Sequence, residues 1–318
     1  MPLAESPSRS SRVSGIFAIA RAILLGTIVG YLAFRIYSGR ETIAALQLQW
    51  DPQSLAVALL SAFVAYQCLF LAWLILLSRS GYYEPAYLRQ YLRVWWISFL
   101  YRYVPGKVLL VIERARMGAE IGIPAAAGAA LTIVETLLAI LAGCAVSLLA
   151  VSYYADADGR LLGIALLLML GAMLMFPAAF RWLRNLPFFR SRYPELGAVA
   201  LGHRDIFISV IPYIFHYLLL GLSFFLVSRS LQLFSWSDLP GLCGIYALSH
   251  VISLIALVAP GGLGVREGAL AVQLARFVPA GPAEALAVGI RVWFTLVELL
   301  CYLGVSLFCR SSRVRFRS

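Results

Sequence analysis

YRYVPGKVLLVIERARMG (residues 101–118) and APGGLGVREGA (residues 259–269) are the two stretches on which the fold turns. Each sits in an apolar segment, and each is interrupted: by Pro105-Gly106 in the first, by Pro260-Gly261-Gly262 in the second. Proline and glycine end helices, and a backbone group freed in lipid has no water to bond. Such breaks persist in a membrane only where they are buried in protein or line a wet cavity. The segments around them, 87–117 and 239–275, are therefore read as re-entrant hairpins, each a helix-length piece followed by a shorter one.

The bilayer follows from composition. Of the 318 residues, 62% are hydrophobic and 13% charged, and the mean hydropathy is +0.86. A soluble domain carries roughly 25% charged residues. Folded in water, this chain would expose apolar patches larger than soluble proteins tolerate. No stretch between the apolar runs is long enough to bury a core of its own, so one membrane domain is expected over 13–309. Short tails at 1–12 and 310–318 flank it. The formal charge of +11 would suggest nucleic acid in a soluble protein. Here the basic residues flank apolar runs, as the positive-inside bias and anionic headgroups require, and no nucleic-acid partner is expected.

Crossing the hydrocarbon core takes about 20 apolar residues. Six runs qualify, at about 13–34, 54–77, 126–154, 161–180, 206–228 and 284–309. The N-terminal tail MPLAESPSRSSRVSG leads into a run containing Arg21 and is read as an uncleaved anchor. With the N-terminus in the cytoplasm, seven Lys/Arg between Arg79 and Arg116, five between Arg181 and Arg204, and four between Arg310 and Arg317 all lie inside. Outside fall Arg40, Arg160, Arg266 and Arg276, with Asp51, Asp156, Asp158 and Asp238. Six spans with both termini cytoplasmic satisfy the bias. Eight spans, with both Pro-Gly segments crossing, would keep the tail inside but move the 181–204 loop outside.

The two halves, about 13–154 and 161–309, share an order: span, span, Pro-Gly hairpin, span. Three spans separate the hairpins, so the two enter from opposite sides, which makes an inverted repeat. PGK at 105–107 is echoed by PGG at 260–262, and TIVE at 132–135 by TLVE at 295–298. Inverted repeats with broken helices meeting near the midplane are a transporter architecture.

Glu135 and Glu298 lie well inside spans, where an ionised carboxylate costs at least ~2.5 to 3.5 kcal/mol on insertion scales. They must be protonated, paired or wet. Arg291, two turns before Glu298 on the same face, is a candidate partner. The set is read as substrate-binding or proton-coupling, or else as a polar clasp between helices. In the first motif Arg102, Lys107, Glu113, Arg114 and Arg116 surround the break. A helix restarting there offers free amides and a positive dipole end, suited to phosphate, with charge-assisted contacts from Lys107 and Arg114. The second motif carries Gly264, Arg266 and Glu267 just beyond its turn. Arg89, Arg93 and Arg116 read as interfacial snorkelling residues.

Other signals are weaker. PGGLG lacks the GK[ST] of a nucleotide-binding loop. His216 and His250 stand alone and suit structural hydrogen bonds, and no metal set is expected. Tyr82, Tyr83, Trp95, Trp96 and Trp236 fit an interfacial aromatic belt. Ser249 and Ser253 are placed to satisfy hairpin backbone. The five cysteines, Cys68, Cys144, Cys243, Cys301 and Cys309, read as small buried hydrophobes. No nucleophile–base constellation is present in the sequence, so no enzyme and no cofactor is expected.

From about Ser14 to Phe308 the chain resembles the lysylphosphatidylglycerol synthase transmembrane-region family, also called flippase-like domain proteins. The resemblance is carried by YRYVPGKVLLVIERARMGAEIGIP, the following TIVETLL, and VAPGGLGVREGAL. It implies a bacterial or archaeal inner-membrane domain that moves lipid between leaflets, without the aminoacyl-transferase domain of the family's enzymes. It also implies groove residues at Pro105, Gly106, Arg114, Glu135, Pro260, Gly261, Gly262, Gly264, Arg266 and Glu267. At Val108-Leu109 the first motif departs from the family's usual glycine.

The expectation is thus an all-α polytopic membrane protein that translocates a phospholipid, glycolipid or polyprenyl-linked lipid through a groove between the hairpins. Lys107, Arg114, Arg266 and Arg291 would attract its phosphate, and Glu135, Glu267 and Glu298 would engage a cationic moiety or carry protons. A small-solute or ion transporter, and a non-catalytic partner of a lipid-modifying enzyme or glycosyltransferase, are the alternatives.

Overall fold

Asp51 begins the first described helix. Its carboxylate accepts from the Gln53 amide at 3.1 Å and the Ser54 hydroxyl at 2.5 Å, while Pro52 supplies a preset first-turn φ. The computed structural model describes residues 51–103, 108–151, 157–174, 199, 201–230, 234–256 and 264–310, with isolated positions 30, 37, 178, 182 and 185. The apolar run 13–34, most of the 181–204 loop, the 311–318 tail, and the motif residues Pro105, Gly106, Lys107, Pro260, Gly261 and Gly262 lie outside the described residues.

Among those residues the structure is helical, without strands. We number the helices α1 (Pro52–Arg79), α2 (Leu88–Leu100), α3 (Val108–Ala119), α4 (Ala125–Val151), α5 (Ala157–Leu174), α6 (His203–Arg229), α7 (Leu239–Ile255), α8 (Val265–Leu274) and α9 (Ala280–Arg310). Five are long and apolar enough to cross a membrane: α1, α4, α6, α9, and α7 taken with its preceding turn as Trp236–Ile255. Their free faces carry Leu60, Phe63, Phe207, Phe215, Leu300 and Leu307, all exposed, a surface that calls for an apolar solvent. The fold class is that of an all-α, multi-pass membrane protein.

Two differences from the sequence reading concern length. The 161–180 span is represented by α5, whose apolar stretch among described residues is Leu162–Gly171. In the second motif, Trp236–Ile255 is itself of spanning length at 20 residues, because a 3-10 turn at Trp236–Asp238 extends the helix upstream. Ser235 and Asp238 fix that turn, the Ser235 amide donating to the Asp238 carboxylate at 2.8 Å. By contrast α3 has 12 residues and α8 has 10. At about 1.5 Å rise per residue neither spans a ~30 Å core.

Among the described helices other than α5, the packing network maps onto itself when the halves are exchanged. α3 lies on α4 as α8 lies on α9, and α2 on α3 as α7 on α8. Across the halves, α7 packs on α4 and α2 on α9, while α6 packs on α4 and α1 on α9. The most extensive pair is α1 with α6, which occupy matching places. They run antiparallel: the Ser61 hydroxyl donates to the Leu219 carbonyl at 2.7 Å, His216 Nδ1 meets the Ala65 carbonyl at 2.8 Å, and Arg79 pairs with Asp205 at 3.4 Å.

Glycines set the closest approaches. A Cβ built on Gly244 of α7 would lie 2.4 Å from the backbone nitrogen of Ala150 on α4, and one on Gly221 of α6 2.6 Å from the Cys243 Cα. Small residues at such crossings let backbones come together where lipid offers no hydrophobic drive. Backbone cannot move aside as a flexible side chain can, so Gly244→Ala overpacks the crossing by about 1–3 kcal/mol. Its melting temperature in detergent is expected to fall by about 5 °C or more; an unchanged value would show that α4 and α7 yield freely.

Candidate functional site

Two arginines, one from each Pro-Gly motif, meet at one cavity. Arg114 comes from α3, twelve residues that restart after the first break, and Arg266 from the first turn of α8, after the second. The cavity measures about 120 Å³, and Arg102, Arg291, Glu135, Thr132, Thr136, Tyr213, His216, Tyr217, His250 and Ser253 also line it. It therefore draws on α3, α4, α6, α7, α8 and α9 and on the 3-10 turn Tyr101–Tyr103 that ends α2. A space of that size takes several waters or one small polar group.

Three clasps surround it. Arg114 pairs with Glu135 of α4 and donates through Nε to the Ser98 hydroxyl at 2.9 Å. The other Glu135 oxygen accepts from the Trp95 indole at 3.2 Å. Glu298 of α9 pairs with Arg102 and accepts from the hydroxyls of Tyr66 at 2.5 Å and Tyr103 at 2.7 Å. Arg291 of α9 pairs with Glu267 of α8 at 3.2 Å. Glu267 also caps its own helix, Oε2 accepting from the Gly264 amide at 2.6 Å. Gly264 holds φ +82°, a conformation open to glycine and costly for other residues. Aromatic faces back the buried guanidinium groups: Phe99 lies 4.0 Å from Arg102, and Trp73 and Trp95 lie 5.6 and 5.5 Å from Arg114.

Arg266 stands apart. It is buried, it donates to the Tyr246 hydroxyl, and its guanidinium lies 4.7 Å from the centre of that ring. No carboxylate among the described residues forms an ion pair with it. Counted over the described residues, four arginines and three glutamates leave the site with one excess positive charge.

The structure brings together Arg114, Glu135, Arg266, Glu267, Arg291 and Glu298. Lys107 and the hairpin residues Pro105, Gly106, Pro260, Gly261 and Gly262 lie outside the described residues. Several sequence readings are corrected. Glu298 takes Arg102, not Arg291, as its ion-pair partner. Seven residues of helix put Arg291 about 10.5 Å along the axis from Glu298, while α8 packs beside α9 and brings Glu267 within reach. Trp95 and Trp96 are 0% exposed, so they belong to the core and not to an interfacial belt; Trp95 is held there by Glu135. Ser249 does bond backbone of the 239–275 segment, donating to the Tyr246 carbonyl one turn back in its own helix at 2.7 Å. Arg116, in keeping with its reading as a surface residue, is half-exposed and pairs with Glu113 and Glu120.

Sequence reasoning missed Arg102 as a site residue, and with it Tyr66, Tyr103, Trp95, Tyr213 and Tyr217. The last two carried a signal: Tyr213, His216 and Tyr217 stand at i, i+3 and i+4, one face of a helix. His216 does make a structural bond, through Nδ1, yet it also lines the cavity.

No protein-family model matches the chain, and neither does any curated protein.

Proposed function

We propose that this protein is a lipid translocase of the flippase-like kind, related to the lysylphosphatidylglycerol synthase transmembrane-region family. In this reading it sits in a bacterial inner membrane with both termini cytoplasmic and moves a phospholipid, glycolipid or polyprenyl-linked lipid between leaflets. The observation that carries it is the meeting of Arg114 and Arg266, one from each Pro-Gly motif, at a single cavity with an excess positive charge. An anionic headgroup would enter that cavity while its tails stay in lipid.

The architecture proposed is six spans and two re-entrant hairpins in an inverted repeat. Support comes from the antiparallel run of α1 and α6, from a packing network that, α5 aside, survives exchange of the halves, and from the shortness of α3 and α8. Transporters built this way rock one repeat against the other around a midplane site. The clasps Arg114–Glu135 and Arg102–Glu298 join the first motif to a span from each half, so rocking must load or release them. Glu135 and Glu298 then serve by holding arginines, and any proton they carry moves only when a clasp opens.

The test is lipid movement in reconstituted liposomes, read as loss of fluorescence from labelled lipids on addition of a membrane-impermeant reductant. Wild type is expected to move at least one anionic lipid, with Arg266→Ala and Glu135→Gln slower by tenfold or more. Wild-type rates from both variants would remove these residues from the route. A wild type that moves no lipid across a panel of headgroups, yet moves a soluble anion, would replace the translocase with a solute transporter.

A further inference from the structure

One face of α6 carries polar atoms that no protein group among the described residues satisfies. Tyr213, His216 and Tyr217 are at most 1% exposed, and all three line the cavity. The hydroxyl oxygens of both tyrosines and Nε2 of His216 are buried without a hydrogen-bond partner among the described residues. Other buried side chains also lack a partner among the described residues, Ser209 and Ser228 of the same helix included; what sets these three apart is that all of them line the cavity. Beside them lies Arg266, a buried cation that forms no ion pair with a carboxylate among the described residues.

The tautomer of His216 can be assigned from its partner. Nδ1 lies 2.8 Å from the Ala65 carbonyl, and a carbonyl oxygen only accepts, so Nδ1 carries the proton. In the neutral ring Nε2 is then a lone pair, able to accept. The site therefore offers one fixed cation, two hydroxyl donors and one acceptor.

We infer that Tyr213, His216, Tyr217 and Arg266 form a receptor for a phosphate monoester in its monoanionic form. Such a group brings unprotonated oxygens for the guanidinium and the two tyrosine hydroxyls, and keeps one P–OH hydrogen for Nε2. Its single negative charge equals the excess positive charge of the site. A carboxylate has no hydrogen to give Nε2, and a trimethylammonium headgroup sets a cation against Arg266. A phosphodiester without a hydroxyl satisfies the donors and leaves Nε2 orphaned. The inference rests on the translocase reading for a lipid source of the phosphate, but not for the phosphate itself.

The full chain, purified in detergent, is titrated with phosphatidic acid, phosphatidylmethanol, diacylglycerol and inorganic phosphate, with tryptophan fluorescence as the readout. Phosphatidic acid is expected to bind at least tenfold tighter than phosphatidylmethanol, and diacylglycerol weakest. The double variant Tyr213→Phe/Tyr217→Phe keeps both rings and removes both hydroxyls. Its affinity for phosphatidic acid is expected to fall roughly tenfold per hydroxyl. Its melting temperature without ligand is expected to stay level or rise, because among the described residues no protein group bonds to the hydroxyls it loses. A receptor role is overturned if phosphatidic acid binds no tighter than diacylglycerol, if the double variant binds as wild type does, or if that variant melts lower when empty. Inorganic phosphate binding as tightly as phosphatidic acid would uphold the receptor with a soluble source and count against the translocase. Phosphatidic acid bound but not moved in liposomes would uphold it while failing the translocase alone.

Discussion

Glu298→Ala is expected to leave little folded protein to recover. The carboxylate holds Arg102 and accepts from Tyr66 and Tyr103, so alanine strands a buried guanidinium and the Tyr66 hydroxyl and leaves Tyr103 only a long bond to Thr295 at 3.5 Å. Breaking one partner of a buried pair costs about 3–5 kcal/mol, and the stranded hydroxyl adds about 1–3 kcal/mol. Set against about 5–15 kcal/mol for a whole domain, that approaches the full stability. The three partners sit on α1 and on the turn after α2, so the loss reaches both halves. Glu298→Gln should fall between, since its amide oxygen still accepts from a tyrosine but carries no charge for Arg102. The double variant Arg102→Met/Glu298→Leu removes both charges and is expected to recover much of the loss. Size-exclusion profiles and melting temperatures in detergent provide the measurement. A Glu298→Ala protein that elutes and melts as wild type does would mean the clasp contributes nothing.

How much of this was legible beforehand depended on the range of each signal. Helical class and spanning lengths come from local apolar content, and α1, α4, α6 and α9 fall where the sequence puts them. The glutamates at matching places were legible because a carboxylate in lipid stands out against its neighbours. Their partners were not. Arg102 and Glu298 are 196 positions apart, and only the packing of α2 on α9 brings them together. Trp95 was misplaced for a related reason. An indole in a helix near predicted interfaces reads as a belt residue until the rotation of α2 is known, and rotation is fixed by tertiary packing. The second motif's first limb reads as helix-length from Leu239; the structure adds a turn before it, because Ser235 and Asp238 fix a 3-10 turn that leads into Pro240 at the helix start, and the joined length reaches a full span. Tyr213 and Tyr217 passed as ordinary aromatics, since a missing hydrogen bond is visible only in three dimensions.

The clasps also explain why a site so rich in charge can exist in a lipid-facing bundle. Each glutamate is matched to an arginine, and the hydroxyls and indole around them fill lone pairs that would otherwise be bare. Arg114–Glu135 ties α3 to α4, Glu267–Arg291 ties α8 to α9, and Arg102–Glu298 crosses between halves. The first two join matching helix pairs, one in each half. What distinguishes the second motif is the arginine left over.

That arginine gives an effect of opposite sign to the first. Arg266→Met is expected to raise the melting temperature of the empty protein while abolishing its transport. An unpaired buried cation carries a desolvation cost of several kcal/mol. Its compensation here is one hydrogen bond to Tyr246 and the face of that ring, together worth about 2–4 kcal/mol. Methionine follows the path of the aliphatic stem and fills most of the same volume without charge. The net gain should be about 1–3 kcal/mol, or a rise of about 2–8 °C. The same change removes the only cation at the cavity that lacks a carboxylate among the described residues, so an anionic headgroup loses its counter-charge and movement of anionic lipid should fall at least a hundredfold. Stability lost at a functional position and recovered by disabling it is the usual sign of a site kept for binding. If Arg266→Met melts below wild type by several degrees, Arg266 is holding the fold together as Glu298 does, and the anion site must be sought elsewhere.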